Sequence, residues 1–303
     1  MTTRLDGRIA LITGAGSGLG RQHALLFAAL GARVVVNDLG GAVGGEGAST
    51  AAADTVVEEI RARGGEAVAS HDSVTDIDGA GRMVARCIEA FGGLDIVVNN
   101  AGILRDRSFA KMTAEDFEAV VRVHLFGAFN VTHAAWPHMI ERQYGRVILT
   151  TSAAGTNGNF GQVNYGAAKL GLVGMMNCLA LEGARKNVHV NCISPAAITR
   201  MTESFDLGKL GDYMGPELVS PAVAWLASED CAQSGLILTA IAGHYGNVRY
   251  VETPGVQFDP VVPVTPDMIA GAREQIEAMA GAKPVRPGPL GDIVDHLKAI
   301  ARL

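Results

Sequence analysis

Two polar residues near the middle of the chain have the types and the spacing of an acid–base pair. Tyr165 and Lys169 lie four positions apart in the segment NYGAAK, so on a helix both side chains project from one face. A phenol, with a pKa of about 10, is a poor acid or base near neutral pH, but a neighbouring ammonium favours the phenolate and lowers that pKa. Ser152 follows a predicted strand and could hold a substrate oxygen beside the phenol. The trio suits proton transfer to or from an alcohol, although an ordinary pair on a helix surface has the same spacing.

Short apolar strands alternate with longer helical segments through most of the chain. Strands are predicted at 8–13, 33–38, 66–70, 95–100, 146–151, 188–194 and 236–241. Helical patterns occupy 19–30, 50–63, 76–91, 113–142, 162–186 and 216–228. This alternation predicts right-handed βαβ units. We therefore expect the α/β class: a doubly wound Rossmann fold whose seven-stranded parallel sheet is flanked by helices.

Two stretches depart from this alternation. The connection LGGAVGGEGA (39–48) is rich in glycine, and we expect a mobile surface loop there. The end of the chain is rich in proline, with helices predicted at 266–280 and 291–302, and it is too short for a core of its own. We expect a dinucleotide-binding and catalytic domain at 1–250. The remaining segment, 251–303, is expected to be a C-terminal helical extension that packs on this domain or on a partner subunit.

The composition argues against several classes of protein. The chain of 303 residues has a net charge of −6, which gives a nucleic-acid partner no electrostatic support. No run approaches the ~20 apolar residues that span a membrane, and the N-terminus lacks the layout of a signal peptide. The cysteines Cys87, Cys178, Cys192 and Cys231 have no CxxC spacing, so we expect neither a metal nor a disulfide. Buried thiols in a reducing cytoplasm fit them better.

The first predicted strand leads into the glycine-rich segment TGAGSGLG at 13–20. Gly14, Gly18 and Gly20 would permit a tight turn and close approach of the backbone to a ligand. The N-terminus of the helix that follows would offer free N–H groups to a pyrophosphate. A glycine cluster alone is weak evidence, but here it has the strand–turn–helix context that a dinucleotide site requires.

An acidic residue ends the second predicted strand. Asp38 is placed to accept hydrogen bonds from the adenosine ribose hydroxyls, and its carboxylate would repel a 2′-phosphate. Leu39 follows where a basic residue would favour NADP, so we expect NAD. The alternative is that Asp38 only caps a turn.

The ends of the next two strands carry further candidate residues. Asp72 could hydrogen-bond the adenine, and Asn99, Ala101 and Gly102 follow the fourth strand. Cofactors bind at the carboxyl ends of the strands in such sheets. Asn99 could instead be an ordinary turn-forming residue.

The segments TGAGSGLG, NNAG and YGAAK, together with Ser152, resemble the short-chain dehydrogenase/reductase family in type and order. The resemblance implies that Tyr165 is the acid/base, that Lys169 lowers its pKa and binds the nicotinamide ribose, and that Ser152 positions the carbinol or carbonyl oxygen. It also implies that Thr199, four residues after Pro195, contacts the nicotinamide carboxamide. The cofactor-binding residues expected on all these grounds are Gly14, Ser17, Gly18, Leu19, Gly20, Asp38, Asp72, Ser73, Asn99, Ala101, Gly102, Tyr165, Lys169, Pro195, Ile198 and Thr199.

One residue departs from the pattern of the family. An asparagine usually stands in V-N-L-x-G and helps to hold a water of a proton relay, whereas this chain has VHLFG at 123–127. Imidazole can donate and accept, so His124 is a candidate catalytic residue of such a relay. A histidine buried for structural reasons is an equal alternative.

A closer resemblance is to one subgroup of the family, the dehydrogenase regions of peroxisomal multifunctional enzymes. The segments VVNDLGG, NNAGILRDRSF, GNFGQVNYGAAKLGL and VTPDMI carry it. It implies NAD-dependent oxidation of (R)-3-hydroxyacyl-CoA to 3-oxoacyl-CoA. The alternatives are a 17β-hydroxysteroid dehydrogenase, a 3-oxoacyl-carrier-protein reductase and a non-catalytic dinucleotide sensor.

Other features bear on the substrate and on assembly. Arg105, Arg107 and Lys111 could meet a CoA phosphate, although solvation or salt bridging accounts for them better. Segment 200–215 is rich in Met, Phe and Tyr, and the resemblance implies a mobile substrate lid there, which would suit an acyl chain or a steroid. Small residues on helix 162–186 allow another helix to approach closely, and in relatives this helix packs across a twofold axis. A homodimer or homotetramer is therefore expected.

Overall fold

The computed structural model describes residues 3–199, 208–285, 288, 294 and 297–298. It divides into two compact units, Met1–Asn247 and Val248–Leu303. The role of the second unit as an extension against the domain or a partner subunit stays a prediction.

The centre of the fold is a sheet of eight strands in the order β3-β2-β1-β4-β5-β6-β7-β8. The strands are β1 Ile9–Thr13, β2 Arg33–Asn37, β3 Glu66–Ser70, β4 Ile96–Asn99, β5 Gly145–Thr150, β6 Val188–Ala196, β7 Ile237–Ile241 and β8 His244–Val248. All pairings among the first seven strands are parallel. The Rossmann architecture predicted from the alternation is therefore confirmed.

The predicted count of seven parallel strands is wrong by one. Only Ala242 and Gly243 separate β7 from β8, and so short a connection permits only an antiparallel pair. The sequence of β8, HYGNV, is polar and largely exposed, so it lacks the apolar run by which the buried strands are found. The sheet is thus mostly, not wholly, parallel.

Eight helices accompany the sheet: α1 Gly18–Ala29, α2 Ala51–Ala62, α3 Ile77–Phe91, α4 Ala114–Val121, α5 Gly127–Arg142, α6 Ala153–Thr156, α7 Val163–Gly183 and α8 Ser220–Ala227. Local chemistry sets their ends. Asp76 caps α3 by accepting a hydrogen bond of 3.1 Å from the amide of Asp78, and Gly92 ends the helix with φ of 86°. The helix predicted at 113–142 is continuous from Ala114 to Arg142, and a π-helical turn, Arg122–Phe126, joins α4 to α5 within it.

The order of the strands determines where a ligand can bind. Strands β1, β4 and β5 are buried along their whole length, which explains their unbroken apolar sequences. The chain runs outward from β1 through β2 and β3 on one side, and through β4 and β5 on the other. This reversal opens a crevice at the carboxyl ends of β1 and β4.

The second unit contains a small antiparallel sheet of β9 Val251–Glu252 and β10 Lys283–Pro284. Its helices are α9 Pro266–Gly271 and α10 Arg273–Glu277, so the helix predicted at 266–280 is shorter and is broken at Ala272. The helix predicted at 291–302 lies largely outside the described residues, as does the first half of the lid predicted at 200–215, of which the second half contains the 3₁₀ helix Gly208–Tyr213.

Candidate active site

The glycine-rich turn after β1 is closed so tightly that side chains would not fit. Gly14 has φ of +63°, and a Cβ there would lie 2.8 Å from the Cα of Ala101. A Cβ on Gly20 would lie 2.2 Å from the carbonyl oxygen of Gly14. The turn therefore brings the start of α1 against the end of β4. Asn100 secures this contact by donating from Nδ2 to the carbonyl oxygens of Thr13 and Gly14, both at 3.0 Å.

A cleft open to solvent lies at the carboxyl ends of β1, β2 and β4. It contains the free edge of the glycine-rich turn and the residues after β2, β3 and β4. The predicted cofactor residues that line it are Gly14, Ser17, Gly18, Leu19, Asp38, Asp72, Ser73, Ala101, Gly102 and Thr199.

The other six predicted cofactor residues do not line this cleft, and two of them, Tyr165 and Lys169, lie near the end of β5. Gly20 packs behind the turn, and Asn99 is buried with its Nδ2 donating 2.9 Å to Thr132 Oγ1. Pro195 pairs with Ala240 within the sheet. The amide of Ile198 donates 2.7 Å to a backbone carbonyl, that of Met214.

The loop after β2 covers part of the cleft and does not stand free in solvent. The amide of Leu104 donates 3.0 Å to Val43 O, and Arg105 Nε donates 2.9 Å to Gly44 O. The expectation of a mobile surface loop missed these contacts, because their partners are about sixty positions away in the sequence. The cleft residues that sequence analysis did not identify are Asn37, Gly41, Ala42, Val43, Gly45, Val74, Asn100, Ile103 and Val123.

The Asp38 carboxylate is held at the edge of the cleft by two backbone amides. Oδ2 accepts from Gly16 N and Oδ1 accepts from Gly40 N, both at 2.7 Å. The second contact spans two residues, as in the turn cap considered as an alternative. A carboxylate has about four acceptor sites, so two remain for further hydrogen bonds. The residue can therefore cap its turn and also bind a ribose.

Asp72 and Ser73 line the cleft with their polar groups already engaged. Asp72 Oδ1 accepts 2.7 Å from Arg82 Nε, and its Oδ2 accepts 3.2 Å from Ser70 Oγ. The hydroxyl groups of Ser73 and Thr75 lie 2.9 Å apart. These contacts fix the rim of the cleft beside the end of β3.

Ser152, Tyr165 and Lys169 gather at the end of β5. Ser152 caps α6, accepting 3.1 Å from Ala154 N, and it also hydrogen-bonds the phenol of Tyr165. Lys169 Nζ lies 5.3 Å from the centroid of the Tyr165 ring and donates 2.6 Å to the carbonyl oxygen of Thr150. The three side chains suggested by sequence spacing therefore share one small region.

Burial dominates the electrostatics of this group. It raises the pKa of Tyr165 to about 12, while the hydrogen bond from Ser152 lowers that pKa and the negative charge of Asp106 raises it. Burial also lowers the pKa of Lys169, which is 3% exposed, to about 7. Without a ligand, the phenol is therefore protonated at neutral pH, and the lysine is close to losing its charge.

His124 lies in the π-helical turn beside this group and is 3% exposed. Its Nε2 is 2.8 Å from the carbonyl oxygen and 3.1 Å from the amide nitrogen of Ile103. Its ring stands perpendicular to that of Tyr165, with centroids 5.1 Å apart. Burial and the charge of Lys169 hold its pKa well below the usual value, so the imidazole is neutral. Nδ1 is buried without a hydrogen-bond partner in the described part of the chain.

Arg105 and Arg107 point toward an acidic neighbour. Arg105 Nη1 and Arg107 Nε both lie 4.0 Å from carboxylate oxygens of Asp116. This agrees with the salt-bridge alternative for these arginines. Across the described ranges, no three His, Cys, Asp or Glu side chains group as metal ligands would, and no helix is long and apolar enough to cross a membrane.

Three features together define an α/β oxidoreductase of the dinucleotide-binding class. They are the crevice at the carboxyl ends of β1 and β4, the glycine-rich turn after β1 and the trio of Ser152, Tyr165 and Lys169. The family model "short chain dehydrogenase" matches residues 8–208. The chain belongs to the short-chain dehydrogenase family, and it is an oxidoreductase that acts on CH–OH groups.

Three known proteins illustrate the relationship. The chain is 48% identical to the peroxisomal multifunctional enzyme type 2 of Drosophila melanogaster, covering 97% of this chain and 50% of that protein. A short chain dehydrogenase of Mycobacterium avium is 41% identical, with a TM-score of 0.79 and coverage of 93% and 98%. A 7α-hydroxysteroid dehydrogenase solved with NADH and 7-oxo glycochenodeoxycholic acid is 31% identical, with a TM-score of 0.72 and coverage of 80% and 95%. The chain thus spans half the length of the multifunctional relative.

Proposed function

We propose that the chain oxidises (R)-3-hydroxyacyl-CoA to 3-oxoacyl-CoA with NAD. The observation that carries the chemistry is the hydrogen bond between Ser152 and the phenol of Tyr165, with Lys169 beside the same ring. The likeness to the multifunctional relative supports the acyl-CoA substrate. The substrate loses a hydride from the carbinol carbon and a proton from the hydroxyl group, and a ketone results.

Each residue of the trio has a separate task in this proposal. Tyr165 takes the hydroxyl proton as general base, and Ser152 holds the carbinol oxygen against it. When bound, oxidised nicotinamide accepts the hydride and brings a positive charge to the site. The pKa of about 12 for the buried phenol must fall for Tyr165 to act near neutral pH. The expected help from Lys169 in lowering that pKa stays a prediction.

The cleft supports a nicotinamide dinucleotide, and NAD in particular. The turn of Gly14 and Gly18 would hold the pyrophosphate, and the remaining acceptor sites of Asp38 would bind the ribose hydroxyls. A 2′-phosphate would meet the negative charge of Asp38. Among the described residues that line the cleft there is no lysine or arginine to offset it. The relative solved with NADH adds support.

Two roles for His124 remain in the proposal. Its partnerless Nδ1 and its contact with the Tyr165 ring suit a proton relay. Its hydrogen bond to Ile103 equally suits a structural role that shapes the wall of the cleft. If His124 belongs to a proton relay, its substitution should change the pH profile of turnover. If its role is structural, the substitution should change only the stability of the fold.

A second candidate function is oxidation of a steroid ring hydroxyl, including a 17β-hydroxyl. The similarity to a hydroxysteroid dehydrogenase favours it. Reduction of a 3-oxoacyl carrier protein uses the same chemistry in reverse. A dinucleotide sensor is disfavoured, because a sensor has no need for the Ser152 trio.

We also propose an oligomeric state, a cellular compartment and a class of partner for the enzyme. Val163, Leu170 and Leu181 on α7 are 42%, 44% and 40% exposed, which supports a homodimer or homotetramer built on this helix. The cysteines carry free thiols, which supports a reducing compartment such as the cytoplasm. The small-molecule partner would be the acyl-CoA or the steroid, with no nucleic-acid or membrane partner.

The test is absorbance of NADH formed from NAD and, in parallel, of NADPH formed from NADP. The alcohols are (R)- and (S)-3-hydroxyacyl-CoA of short and long chain and one 17β-hydroxysteroid. Reduction of NAD by the (R)-acyl-CoA alone is the expected result. Activity with the steroid only, or with NADP only, would overturn the proposed substrate or cofactor.

A further inference from the structure

A fully buried asparagine, Asn164, stands directly before Tyr165 in the first turn of α7. The first amides of a helix have no intrahelical partner and are commonly satisfied by a capping side chain. Gln162, at the cap position of α7, makes no such hydrogen bond. Asn164 Oδ1 instead accepts 2.8 Å from the amide nitrogen of Tyr165. The side chain of Asn164 is therefore bonded to the backbone of the residue that carries the phenol.

The side-chain nitrogen of Asn164 joins α7 to two other elements. Nδ2 donates 3.0 Å to Arg105 O, in the segment after β4, and 3.2 Å to Asp116 O, in the first turn of α4. Both N–H donors and the oxygen of the side chain are thus engaged, each with a backbone group. A buried polar group satisfied in this way favours one arrangement of its neighbours, because another arrangement would leave donors or acceptors unpaired.

The other side of this turn of α7 packs against α6. A Cβ on Gly166, two positions after Asn164 and so on the opposite face of the helix, would lie 2.9 Å from Ala154 O. The two helices therefore meet through their backbones. Ser152 caps α6 and hydrogen-bonds the phenol of Tyr165 across this contact. The reach of the phenol to Ser152 consequently depends on the orientation of the first turn of α7, which Asn164 holds from the side of α4.

We propose that Asn164 is a positioning residue that keeps the phenol of Tyr165 within reach of Ser152 and of the alcohol to be oxidised. The inference rests on the proposed function, because it takes Tyr165 to be the general base. Asn164 lines no part of the cofactor cleft and acts through the backbone of its neighbour. Since a displacement of about 1 Å in a reacting group can cost on the order of 100-fold in rate, its loss should affect turnover more than cofactor binding.

Asn164→Ala removes all three hydrogen bonds and provides the test. With the best alcohol as substrate, we expect kcat to fall about 10- to 100-fold while NADH affinity stays within about threefold of wild type. Rates are expressed per NADH-binding site, so unfolded protein does not enter the comparison. Wild-type kcat in the folded variant would overturn the proposal.

The pH profile of kcat distinguishes a displaced base from a general loss of order. The hydrogen bond from Ser152 lowers the pKa of Tyr165, and displacement of the phenol would weaken that bond. The base would then lose its proton only at higher pH, so the midpoint of the rise of kcat with pH should move upward in Asn164→Ala. A lower kcat with an unchanged midpoint would refute the positioning role.

Asn191 in β6 offers a matched control. It is 1% exposed, its Nδ2 donates 2.9 Å to Gln233 O, and its Oδ1 accepts 2.9 Å from the amide of Leu236. It therefore also joins two segments through backbone groups, but these precede β7 and lie outside the cleft. We expect Asn191→Ala to keep kcat per NADH-binding site within about twofold of wild type, with an unchanged pH midpoint. An equal loss of kcat in both variants would show a general effect of loosening the fold and would overturn the proposal.

Asn164→Ser keeps the test decisive if Asn164→Ala does not fold. Its hydroxyl group offers one donor where the amide has two, so kcat should be about 3- to 10-fold below wild type, with the same upward movement of the pH midpoint. Wild-type kinetics in Asn164→Ser would then count against the positioning role.

Tyr165→Phe, measured beside these variants, separates failure of the inference from failure of the proposed function. Normal turnover in Tyr165→Phe would show that Tyr165 is not the base, whatever Asn164→Ala does. An inactive Tyr165→Phe beside an Asn164→Ala with wild-type kinetics would refute only the positioning role.

Discussion

The ammonium of Lys169 donates a hydrogen bond of 2.6 Å to the carbonyl oxygen of Thr150, the last residue of β5. This bond directs the ammonium toward the end of the strand, while the side chain still packs 5.3 Å from the ring of Tyr165. The charge is almost wholly buried, so the position is costly for an ionised lysine. A buried ionisable group whose pKa is strongly perturbed is typical of a functional site.

The buried charge of Lys169 predicts an unusual dependence of stability on pH. Burial lowers its pKa from 10.5 to about 7, so between these values the unfolded chain binds more protons than the folded one. The free energy of unfolding of the wild type therefore rises from about pH 7 toward pH 10. We expect Lys169→Met to be more stable than wild type at pH 7, on the order of 1 kcal/mol or more, with a gap that narrows by pH 9.

Urea unfolding of the cofactor-free proteins at pH 7, 8 and 9 measures this gap. Lys111→Met changes an exposed lysine and should show no such trend with pH. A gap for Lys169→Met that stays constant, or widens, would contradict the account of its burial.

Asp38→Asn should weaken NAD binding about 10-fold or more while it reduces discrimination against NADP. The substitution removes the charge that would bind the ribose hydroxyls, and charge-assisted hydrogen bonds contribute about 1.5–3 kcal/mol. It also removes the repulsion of a 2′-phosphate. Titration of NADH and NADPH by fluorescence measures both effects, with the exposed Glu89→Gln as control. Equal loss of affinity for both cofactors would argue against a ribose role.

Gly20→Ala should destabilise the fold by about 2–3 kcal/mol or prevent folding. The new Cβ would lie 2.2 Å from the backbone oxygen of Gly14, which cannot move without opening the turn. The control is Gly81→Ala in α3, where nothing lies within 4 Å of the added atom. There the substitution should stabilise by about 0.5–1 kcal/mol. Thermal unfolding measures the stability of both variants. Similar stabilities for Gly20→Ala and Gly81→Ala would contradict this prediction.

Arg105→Ala should speed the release of NADH. Arg105 Nε donates 2.9 Å to Gly44 O and so ties the loop after β2 over the cleft. The substitution also removes the contact of Arg105 Nη2 with Glu46 Oε1 at 3.5 Å in the same loop, and a loss of about 1 kcal/mol or more predicts release at least about fivefold faster. Stopped-flow fluorescence measures the rate, and Arg107→Ala, which has no bond to this loop, is the control. Equal rates in wild type and Arg105→Ala would show that the loop does not limit release.

The sequence was informative where one physical pattern dominated. Buried parallel strands are apolar throughout, so β1 to β7 could be predicted, whereas the polar edge strand β8 could not. The helix predicted at 113–142 was found, but its π-helical turn at Arg122–Phe126 was not, because the turn keeps the backbone helical and leaves no mark in the apolar pattern. Asn99, which ends β4, and Asn100, which follows it, show the same limit. Asn99 was predicted to meet the cofactor, but only Asn100 lines the cleft.

The parts of the site that depend on distant contacts escaped prediction. The loop after β2 becomes part of the cleft wall through Leu104 and Arg105. Asp106 is bound at the start of α7, where Gln162 Nε2 donates 2.7 Å to its carboxylate. Neither contact has a fixed spacing in the sequence, so no local pattern could indicate it.

The central claim is that Tyr165 is the general base, and Tyr165→Phe tests it most directly. The substitution removes the hydroxyl group that Ser152 binds and leaves the ring in its contact with His124. Turnover of the best alcohol and NADH affinity by fluorescence titration are measured on the same preparation. The account predicts a loss of kcat of at least about 100-fold with NADH affinity within about threefold of wild type. Turnover at the wild-type rate would contradict it.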